Sequence, residues 1–207
     1  MTKFKTEQEQ FWAESFGDEY SARNVGDNWV ASNTALFAKV FAHMKAVNSV
    51  IEFGANIGLN LRAIRRLFPS VALSAIEINN KAIEKLKLID GIEVYRQSIL
   101  DFAPKKQYDF VLSKGLLIHI NPDSLSQVYD LLYKSSKRYI CVAEYYNPNP
   151  VEITYRGHKN KLFKRDFAGE MLNRFNRLHL IDYGFVYHRD IFPQDDTTWF
   201  LLEKSTI

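Results

Sequence analysis

The amino-acid sequence predicts a single α/β domain with a mostly parallel central sheet and helices on both of its faces. Three observations support this fold class. Strand and helix patterns alternate between residues 49 and 143, a glycine-containing turn joins the first strand to the next helix, and two strand patterns follow each other near the C-terminus. The alternation indicates βαβ units with right-handed crossovers, and the last two strands are expected to form an antiparallel pair.

Each element follows from its own pattern of apolar residues and turn residues. The predicted helices cover residues 6–16, 28–46, 57–68, 81–87, 122–135 and 166–174. The predicted strands cover residues 49–53, 71–78, 92–95, 108–113, 138–143, 178–187 and 198–203. Gly17 and Asp18 are expected to end the first helix, and the stretch from Tyr155 to Lys161 is expected to be irregular.

Length and composition exclude several classes of protein. The chain has 207 residues, of which 46% are hydrophobic and 25% charged, as expected for one folded domain. A net charge of +3 is too small to favour nucleic-acid binding, and the single cysteine, Cys141, excludes a disulfide framework. No apolar run approaches the roughly 18 residues of a membrane span, and Met1–Gln10 lacks the apolar core of a secretory signal. The chain is therefore expected to be cytoplasmic and to bind no membrane.

The turn after the first strand carries the strongest local signal. Gly54 allows a backbone conformation that a side chain would forbid, and Gly58 allows the next helix to pack closely. The dinucleotide fingerprint has a middle glycine where this chain has Asn56. Glu52, just before the turn, would repel a phosphate and would suit a ligand with positive charge. The turn therefore favours an adenosine ligand with a cationic tail over a nicotinamide dinucleotide.

A second acid ends the second strand. Glu77 follows Gly54 at the spacing of about 20 residues at which a carboxylate accepts hydrogen bonds from a ribose diol. Each acid alone is an ordinary strand-end residue. Together, and in this order, Glu52 and Glu77 predict a cofactor site at the carboxyl edge of the sheet.

The glycine turn and the acid after strand two together resemble the class I S-adenosylmethionine-dependent methyltransferases. The resemblance implies their Rossmann-like fold, S-adenosyl-L-methionine as cofactor, Glu52 and Gly54 near its methionine part, and Glu77 at its ribose. Ser98 stands where an aspartate often meets the adenine, so Ser98 or the backbone of Ile99 is expected to serve instead. The residues predicted to contact the cofactor are Trp12, Tyr20, Arg23, Glu52, Gly54, Asn56, Gly58, Glu77, Ile78, Ser98, Ile99 and Ser113.

Longer segments are similar to a narrower group, the pseudaminic acid biosynthesis-associated methylases, over nearly the whole chain. The segments are 10–13, 16–20, 23–24, 112–115, 119–123, 145–148, 155–158, 164–169, 182–185 and 195–200. The resemblance implies one methyltransferase domain over 1–207, with a helical lid at 1–46, a cofactor-binding core at 47–146 and an acceptor-binding part with the strand pair at 147–207. It also implies a small acceptor, with methylation of a hydroxyl, amine or carboxylate of a sugar or nucleotide sugar.

Two residues are candidates for the chemistry of methyl transfer. A hydroxyl or ammonium acceptor needs a base, whereas an acceptor that is already deprotonated needs only alignment. His119 follows strand four on the ligand-bearing edge and titrates near neutrality. Glu144, at the end of strand five, is the alternative base or an orienting group. The sequence leaves three options open: His119, Glu144, or no base.

Further side chains are candidates for acceptor binding or for the lid. Tyr145 and Tyr146 are consecutive on a strand, so only one of them is expected to face the cleft. An arginine binds carboxylate or phosphate in a bidentate manner, which makes Arg156 a candidate anchor for an acidic sugar. The predicted acceptor-binding residues are Lys114, His119, Tyr145, Tyr146, Tyr155, Arg156 and His158. In the lid, Trp12 and Tyr20 are expected to cover the cofactor and Arg23 to pair with its carboxylate.

Two other functions remain open from the sequence. One is an NAD(P)-dependent sugar oxidoreductase or epimerase, which Asn56 in place of the middle glycine disfavours. The other is a scaffold that binds the cofactor without turnover, which the intact acids Glu52 and Glu77 disfavour. No metal site is predicted, because His43, His179 and His188 show no metal-ligand spacing with acids or with the cysteine.

Overall fold

A computed structural model describes residues 4–205 of the chain. Residues 1–3 of the predicted lid and residues 206–207 of the C-terminal part lie outside the described residues. The helices are α1 (Glu7–Ala13), α2 (Ser15–Arg23), α3 (Asp27–Phe41), α4 (Leu59–Leu67), α5 (Asn80–Leu86), α6 (Leu125–Ser135) and α7 (Phe167–Arg174). The strands are β1 (Ser49–Phe53), β2 (Ala72–Glu77), β3 (Glu93–Arg96), β4 (Tyr108–Lys114), β5 (Ser136–Glu144), β6 (Val151–Tyr155), β7 (His158–Lys164), β8 (Leu178–Val186) and β9 (Thr197–Lys204).

The central sheet has seven strands in the order β3-β2-β1-β4-β5-β9-β8. The first five strands in this order run parallel, and β9 pairs antiparallel with both β5 and β8. The predicted fold class is therefore confirmed. Strand order reverses between β1 and β4, and such a reversal opens a crevice at the carboxyl ends of the strands. Phe53 of β1 lies beside Ser113 of β4, so the turns that follow these strands share this crevice.

Alternate strand residues supply the two halves of the core. Val50, Phe110 and Cys141 pack with α3 and α4 on one face of the sheet. Ile51 and Val111 pack with α6 and α7 on the other face. The thiol of Cys141 is buried and unpaired, as its apolar strand predicts. Within residues 4–205, no helix combines the length and the apolarity that a membrane crossing demands.

The N-terminal region forms two helices where the sequence predicts one. Thr6 and Glu9 form a capping box at the start of α1, and the extended backbone of Glu14 separates α1 from α2. Gly17 lies inside α2, so its predicted role as a helix breaker is wrong. A Cβ atom at Gly17 would lie 1.8 Å from the carbonyl oxygen of Trp12, so glycine is needed here for the close approach of α1 and α2.

The stretch predicted to be irregular is a β-hairpin. β6 and β7 pair antiparallel as a separate sheet, and Tyr155 lies opposite His158. The two residues between them, Arg156 and Gly157, have φ values of +48° and +86°. Such a pair of positive values is typical of the tight turn that matches strand twist. The missed signal is the alternation of Val151, Ile153 and Tyr155, which is weak because these strands are largely exposed.

Candidate functional site

A cavity of about 630 Å³ lies at the carboxyl ends of β1, β2, β4 and β5. Helices α1 and α2, together called the cap, form one wall, and the β6–β7 hairpin and the β8–β9 loop contribute others. The cavity is lined by these predicted site residues: Trp12, Tyr20, Gly54, Asn56, Glu77, Ile78, Ser98, Ile99, Lys114, His119, Glu144, Tyr145, Tyr155 and Arg156. The predicted residues that do not line it are Arg23, Glu52, Gly58, Ser113, Tyr146 and His158.

Left-handed backbone shapes the turn after β1. Gly54, Asn56 and Gly58 have φ values of +69°, +47° and +79°. The amide of Gly54 donates to the carbonyl of Ile76 over 2.9 Å, which ties this turn to the end of β2. Gly58 faces Ile89 and Leu86 instead of the cavity, so its role is the helix packing that the sequence predicts, without a direct cofactor contact.

Glu77 holds the two turns of the site together. One carboxylate oxygen accepts from the amide of Asn56 over 2.7 Å. The other accepts from the amides of Ile78 and Asn79 over 2.9 and 2.8 Å. Burial raises the pKa of Glu77, and these three hydrogen bonds oppose that increase. A carboxylate has about four lone-pair sites, so Glu77 keeps capacity for another donor on the cavity side.

Glu52 lies behind the cavity wall, and Asn60 connects it to the cavity. The amide nitrogen of Asn60 donates to Glu52 Oε1 over 2.6 Å, and Asn60 lines the cavity. Glu52 is fully buried, and this burial raises its pKa to about 8. Glu52 Oε2 and Asn60 Oδ1 are both buried and have no hydrogen-bond donor. Asn60 was not predicted as a site residue. The feature of the sequence that could have indicated it is a polar residue in the first turn of the helix after the glycine turn.

The far end of the cavity lies beside Ser98 and Ile99, where the cap reaches the turn after β3. The hydroxyl of Ser98 contacts the carboxylate of Glu9 in α1 and accepts from the amide of Leu100. Glu9, which the sequence analysis did not select, also lines the cavity. The Ser98 hydroxyl is thus engaged by the cap, and the backbone around Ile99 forms the adjacent wall.

Aromatic contacts fix the cap over the cavity. The ring of Trp12 lies 4.6 Å from that of His119 and 5.2 Å from that of Tyr20, measured between centroids. The Nε2 atom of Gln8 donates to the carbonyl of Asn160 in the hairpin over 2.9 Å. The hydroxyl of Ser21 donates to the side-chain oxygen of Asn56 over 2.7 Å. The cap therefore binds both the hairpin and the glycine turn.

The structure does not place Arg23 at the cavity. Its side chain is exposed, and its guanidinium lies 5.2 Å from the Phe16 ring and 5.4 Å from the Tyr20 ring. The α2 helix turns Arg23 towards the outer surface of the cap. The predicted pairing of Arg23 with a cofactor carboxylate therefore lacks the necessary geometry.

His119 is buried beneath the cap. Its Nδ1 atom lies 2.5 Å from the carbonyl oxygen of Lys161. A carbonyl can only accept, so Nδ1 carries the proton and Nε2 carries the lone pair. Burial lowers the pKa of His119 to about 4, so the ring is neutral at physiological pH.

Glu144 holds the loop that carries His119. Its Oε1 atom accepts from the hydroxyl of Ser113 over 2.8 Å and from the amides of Leu116 and Leu117 over 3.1 and 3.0 Å. Its Oε2 atom is buried without a partner, and burial raises the pKa of Glu144 to about 7. Ser113 is fully buried and does not line the cavity; its role is to donate a hydrogen bond to Glu144.

Two predicted acceptor residues lie on the outer surface. Tyr145 lines the cavity, while Tyr146 is 42% exposed and packs near Phe200. Only one of the two faces the cleft, although both lie beyond the end of β5 and not on the strand itself. His158 is exposed at the hairpin turn and lies 5.0 Å from the ring of Phe11 on the outside of the cap. Neither Tyr146 nor His158 lines the cavity. Tyr146 lies two residues beyond the end of β5, and His158 follows the hairpin turn.

Helix α3 and the β8–β9 loop form a further wall, which the sequence did not predict. Gln194 donates to the side-chain oxygen of Asn33 over 3.0 Å, and both side chains are buried at the cavity. Asp195 and Asp196 also line it, and Asp196 pairs with His188 over 2.8 Å at a left-handed turn. Within the described residues, no three His, Cys, Asp or Glu side chains are grouped closely enough to hold a metal ion.

No protein-family model matches the chain, and no curated protein matches it. Solved structures do match it. The 1,6-didemethyltoxoflavin-N1-methyltransferase of Burkholderia thailandensis, solved with its acceptor and S-adenosylhomocysteine, is 12% identical with a TM-score of 0.71 over 96% of this chain and 87% of that one. The chain has the class I methyltransferase fold.

Two further structures support this assignment of the fold. Magnesium protoporphyrin IX methyltransferase from Synechocystis PCC 6803, solved with bound S-adenosylmethionine, is 11% identical with a TM-score of 0.68 over 99% of this chain and all of that one. An S-adenosylmethionine-dependent methyltransferase from Clostridium acetobutylicum is 10% identical with a TM-score of 0.65 over 92% of this chain and 98% of that one. At these identities the likeness concerns the fold alone.

Proposed function

We propose that this chain is an S-adenosylmethionine-dependent methyltransferase that acts on a small polar acceptor. The observation that carries the proposal is the pair of buried oxygens, Glu52 Oε2 and Asn60 Oδ1, which lack donors beside the glycine turn. A buried polar atom without a partner destabilises a protein, so such atoms in native structures call for an explanation. The α-ammonium group of the cofactor's methionine part has N–H donors for the oxygen of Asn60 at the cavity wall, and its positive charge suits the acid of Glu52 behind that wall.

The rest of the cavity fits the same ligand. Glu77 keeps lone pairs for the ribose hydroxyls, at the end of β2 where a ribose-binding acid is expected. The backbone beside Ile99 offers a wall for the adenine. Lys114 lines the cavity. Burial lowers the pKa of Lys114, and the nearby Glu52 partly opposes this shift. We assign Lys114 to the cofactor's carboxylate, in place of Arg23, which lies outside the cavity.

The chain's own residues align the reactants and accept the proton that the acceptor loses. The bound cofactor supplies a methyl group on a positively charged sulfur. With a hydroxyl acceptor, His119 Nε2 would accept the hydroxyl proton as the oxygen takes the methyl group from the sulfur, because burial keeps this nitrogen unprotonated. An ammonium acceptor would have to give its proton to Nε2 before its nitrogen could attack. Glu144 acts as a positioning residue, since it binds the backbone of the loop that carries His119. Trp12 covers the ring of His119 and excludes water.

The finer assignment rests on the sequence motifs. We propose a hydroxyl, amine or carboxylate of a sugar or nucleotide sugar linked to nonulosonic acid biosynthesis as the acceptor group. The tyrosines at the cavity, Tyr20, Tyr145 and Tyr155, offer flat faces for a sugar ring. The compartment we propose is the cytoplasm, where the lone thiol of Cys141 stays reduced.

Titration calorimetry on the full chain tests the cofactor. We expect micromolar binding of S-adenosylhomocysteine and S-adenosylmethionine, and no comparable binding of NAD or NADP. Asn60→Ala removes the link between Glu52 and the cavity and is expected to weaken S-adenosylhomocysteine binding about tenfold or more. Asn173→Ala, at an exposed position on α7, is the matched control and should bind like the parent chain. Preferred binding of a nicotinamide dinucleotide would overturn the proposal.

A further inference from the structure

We infer that the acceptor carries a carboxylate or a phosphate, and that Arg156 and Lys164 of the β6–β7 hairpin bind this group. The inference rests on the proposed methyltransferase function and names the chemical class of its acceptor. The first observation is that these two positive charges have no acidic partner. Both side chains line the cavity, and neither has an acidic oxygen within 4 Å among the described residues.

Two neighbouring cations do have acidic partners. Lys161, on the same strand as Lys164, pairs with Glu7 over 3.0 Å. Arg165, next in the chain, pairs with Glu170 over 2.6 Å. Lys161 and Arg165 are therefore paired with acids, while Arg156 and Lys164 keep their charge available for a ligand.

Tyrosine rings hold these two cations in place without neutralising them. The guanidinium of Arg156 lies 6.0 Å from the centroid of Tyr155, and Lys164 Nζ lies 5.1 Å from that of Tyr145. Such cation–π contacts orient a cation and leave its N–H donors free. Arg156 also adopts a left-handed backbone with a φ of +48°, a conformation that is uncommon for a residue with a side chain. The tight turn thus presents the guanidinium at the rim of the cavity.

Further hydrogen-bond donors lie on the same side. The hydroxyls of Tyr20, Tyr145 and Tyr155 make no hydrogen bond within the part of the chain that the structure describes. Burial raises the pKa of Tyr20 to about 12, so its hydroxyl keeps its proton and remains a donor. The indole N–H of Trp12 is buried without an acceptor. An anion accepts from such donors and is attracted by the two cations of the hairpin.

The acids of the cavity form no ion pair within 4 Å with Arg156 or Lys164 among the described residues. Asp196 attracts Lys164 electrostatically at longer range, and its carboxylate accepts from the backbone and the ring of His188. Asp195 acts electrostatically on Lys114, Tyr20 and Tyr145. The N–H donors of Arg156 and Lys164 therefore stay available to a ligand. A bidentate arginine suits carboxylate and phosphate alike, so the test must separate these two groups.

The test measures binding of matched small molecules to the full chain saturated with S-adenosylhomocysteine. Glucuronate and glucose differ by a carboxylate, and glucose 1-phosphate and glucose differ by a phosphate. We expect at least one anionic member to bind about tenfold or more tightly than glucose. The stronger of the two identifies the group that the hairpin recognises.

Variants assign the preference to the hairpin. Arg156→Gln and Lys164→Gln are expected to remove most of the anion preference while leaving S-adenosylhomocysteine binding unchanged. Lys159→Gln, an exposed lysine of the same hairpin that does not line the cavity, should keep the preference. Equal binding of all three sugars, or a preference that survives both variants, would overturn the inference. Failure of S-adenosylhomocysteine itself to bind would instead contradict the proposed function.

Discussion

The two sides of the cavity are built in opposite ways. The proposed cofactor side consists of the carboxyl ends of β1 and β2 and the turns after them, and it includes the buried carboxylates of Glu52 and Glu77. The proposed acceptor side consists of the cap, the hairpin and the β8–β9 loop, where aromatic rings and the cations Arg156 and Lys164 face the cavity. The first side has the buried oxygens Glu52 Oε2 and Asn60 Oδ1 without donors, and the second has two cations without an acidic partner and the buried indole N–H of Trp12 without an acceptor. The fold alone fixes the first side, whereas the second depends on the docking of separate segments.

Replacing Glu77 is the largest expected perturbation of the cofactor side. In Glu77→Gln, an amide NH₂ group must face a backbone N–H of Asn56 or of Ile78 and Asn79, so one of these buried donors loses its acceptor. We expect S-adenosylhomocysteine affinity to fall about 100-fold, as lost hydrogen bonds to a charged group imply. Titration calorimetry measures the change.

The exposed Glu84 on α5 provides the control for this prediction. Glu84→Gln changes the same functional group, yet it should leave the affinity unaltered. If Glu77→Gln bound the cofactor as tightly as the parent chain, the carboxylate would not organise the two turns, and the contrast between the two sides would lose its main support.

A second prediction concerns the packing beneath the cofactor side. A Cβ atom at Gly58 would lie 2.5 Å from Ile89 Cδ1 and 2.8 Å from Leu86 Cδ2, and the backbone there is left-handed. We expect Gly58→Ala to reduce the free energy of unfolding by about 2–4 kcal/mol, because overpacking adds to backbone strain. Denaturant unfolding measures this loss.

Gly91 separates the two causes. It has a φ of +64°, but a Cβ atom there would have no neighbour within 4 Å. Gly91→Ala is therefore expected to cost only about 1 kcal/mol, from the backbone alone. Equal losses in the two variants would mean that α4 and the end of α5 yield to the added methyl group, and that close packing does not fix the turn.

The cofactor side was predictable from sequence because its residues follow strand ends. In a parallel sheet, the carboxyl ends of strands meet at one edge, so Gly54, Glu77 and Ser98 are placed together by chain order alone. All three line the cavity. Asn60 was not predicted, because its role depends on its hydrogen bond to Glu52 and on a buried oxygen without a donor. Neither feature can be read from the sequence.

The acceptor side was predictable only in part because its contacts join distant segments. Gln8 binds the backbone of Asn160, and Trp12 covers His119, but no periodicity in the sequence encodes either pairing. The hairpin was not predicted, because β6 is almost entirely exposed and its apolar alternation is therefore weak. Arg23 was placed wrongly because the direction of a side chain on a short helix depends on how that helix packs.

The pH dependence of stability offers the finest distinction between the two sides. Burial holds the pKa of His119, on the acceptor side, at about 4, below its ordinary value near 6.5. The neutral ring is therefore favoured in the folded state, and this stabilisation is complete above pH 6.5 and lost as the pH falls towards 4. Burial raises the pKa of Glu52, on the cofactor side, from 4.5 to about 8. Its contribution is complete below pH 4.5 and lost as the pH rises through 8.

The melting temperature should therefore fall at both ends of the pH range, for a different reason at each end. His119→Gln is expected to reduce the loss on the acid limb, and Glu52→Gln to reduce, without abolishing, the loss on the alkaline limb, which Glu144 shares. His179→Gln, at an exposed position on β8, should leave both limbs as they are. If Glu52→Gln left the alkaline limb intact, Glu144, whose pKa burial raises to about 7, would be the group that titrates there. The alkaline limb would then report on the loop that carries His119, and it would no longer belong to the cofactor side alone.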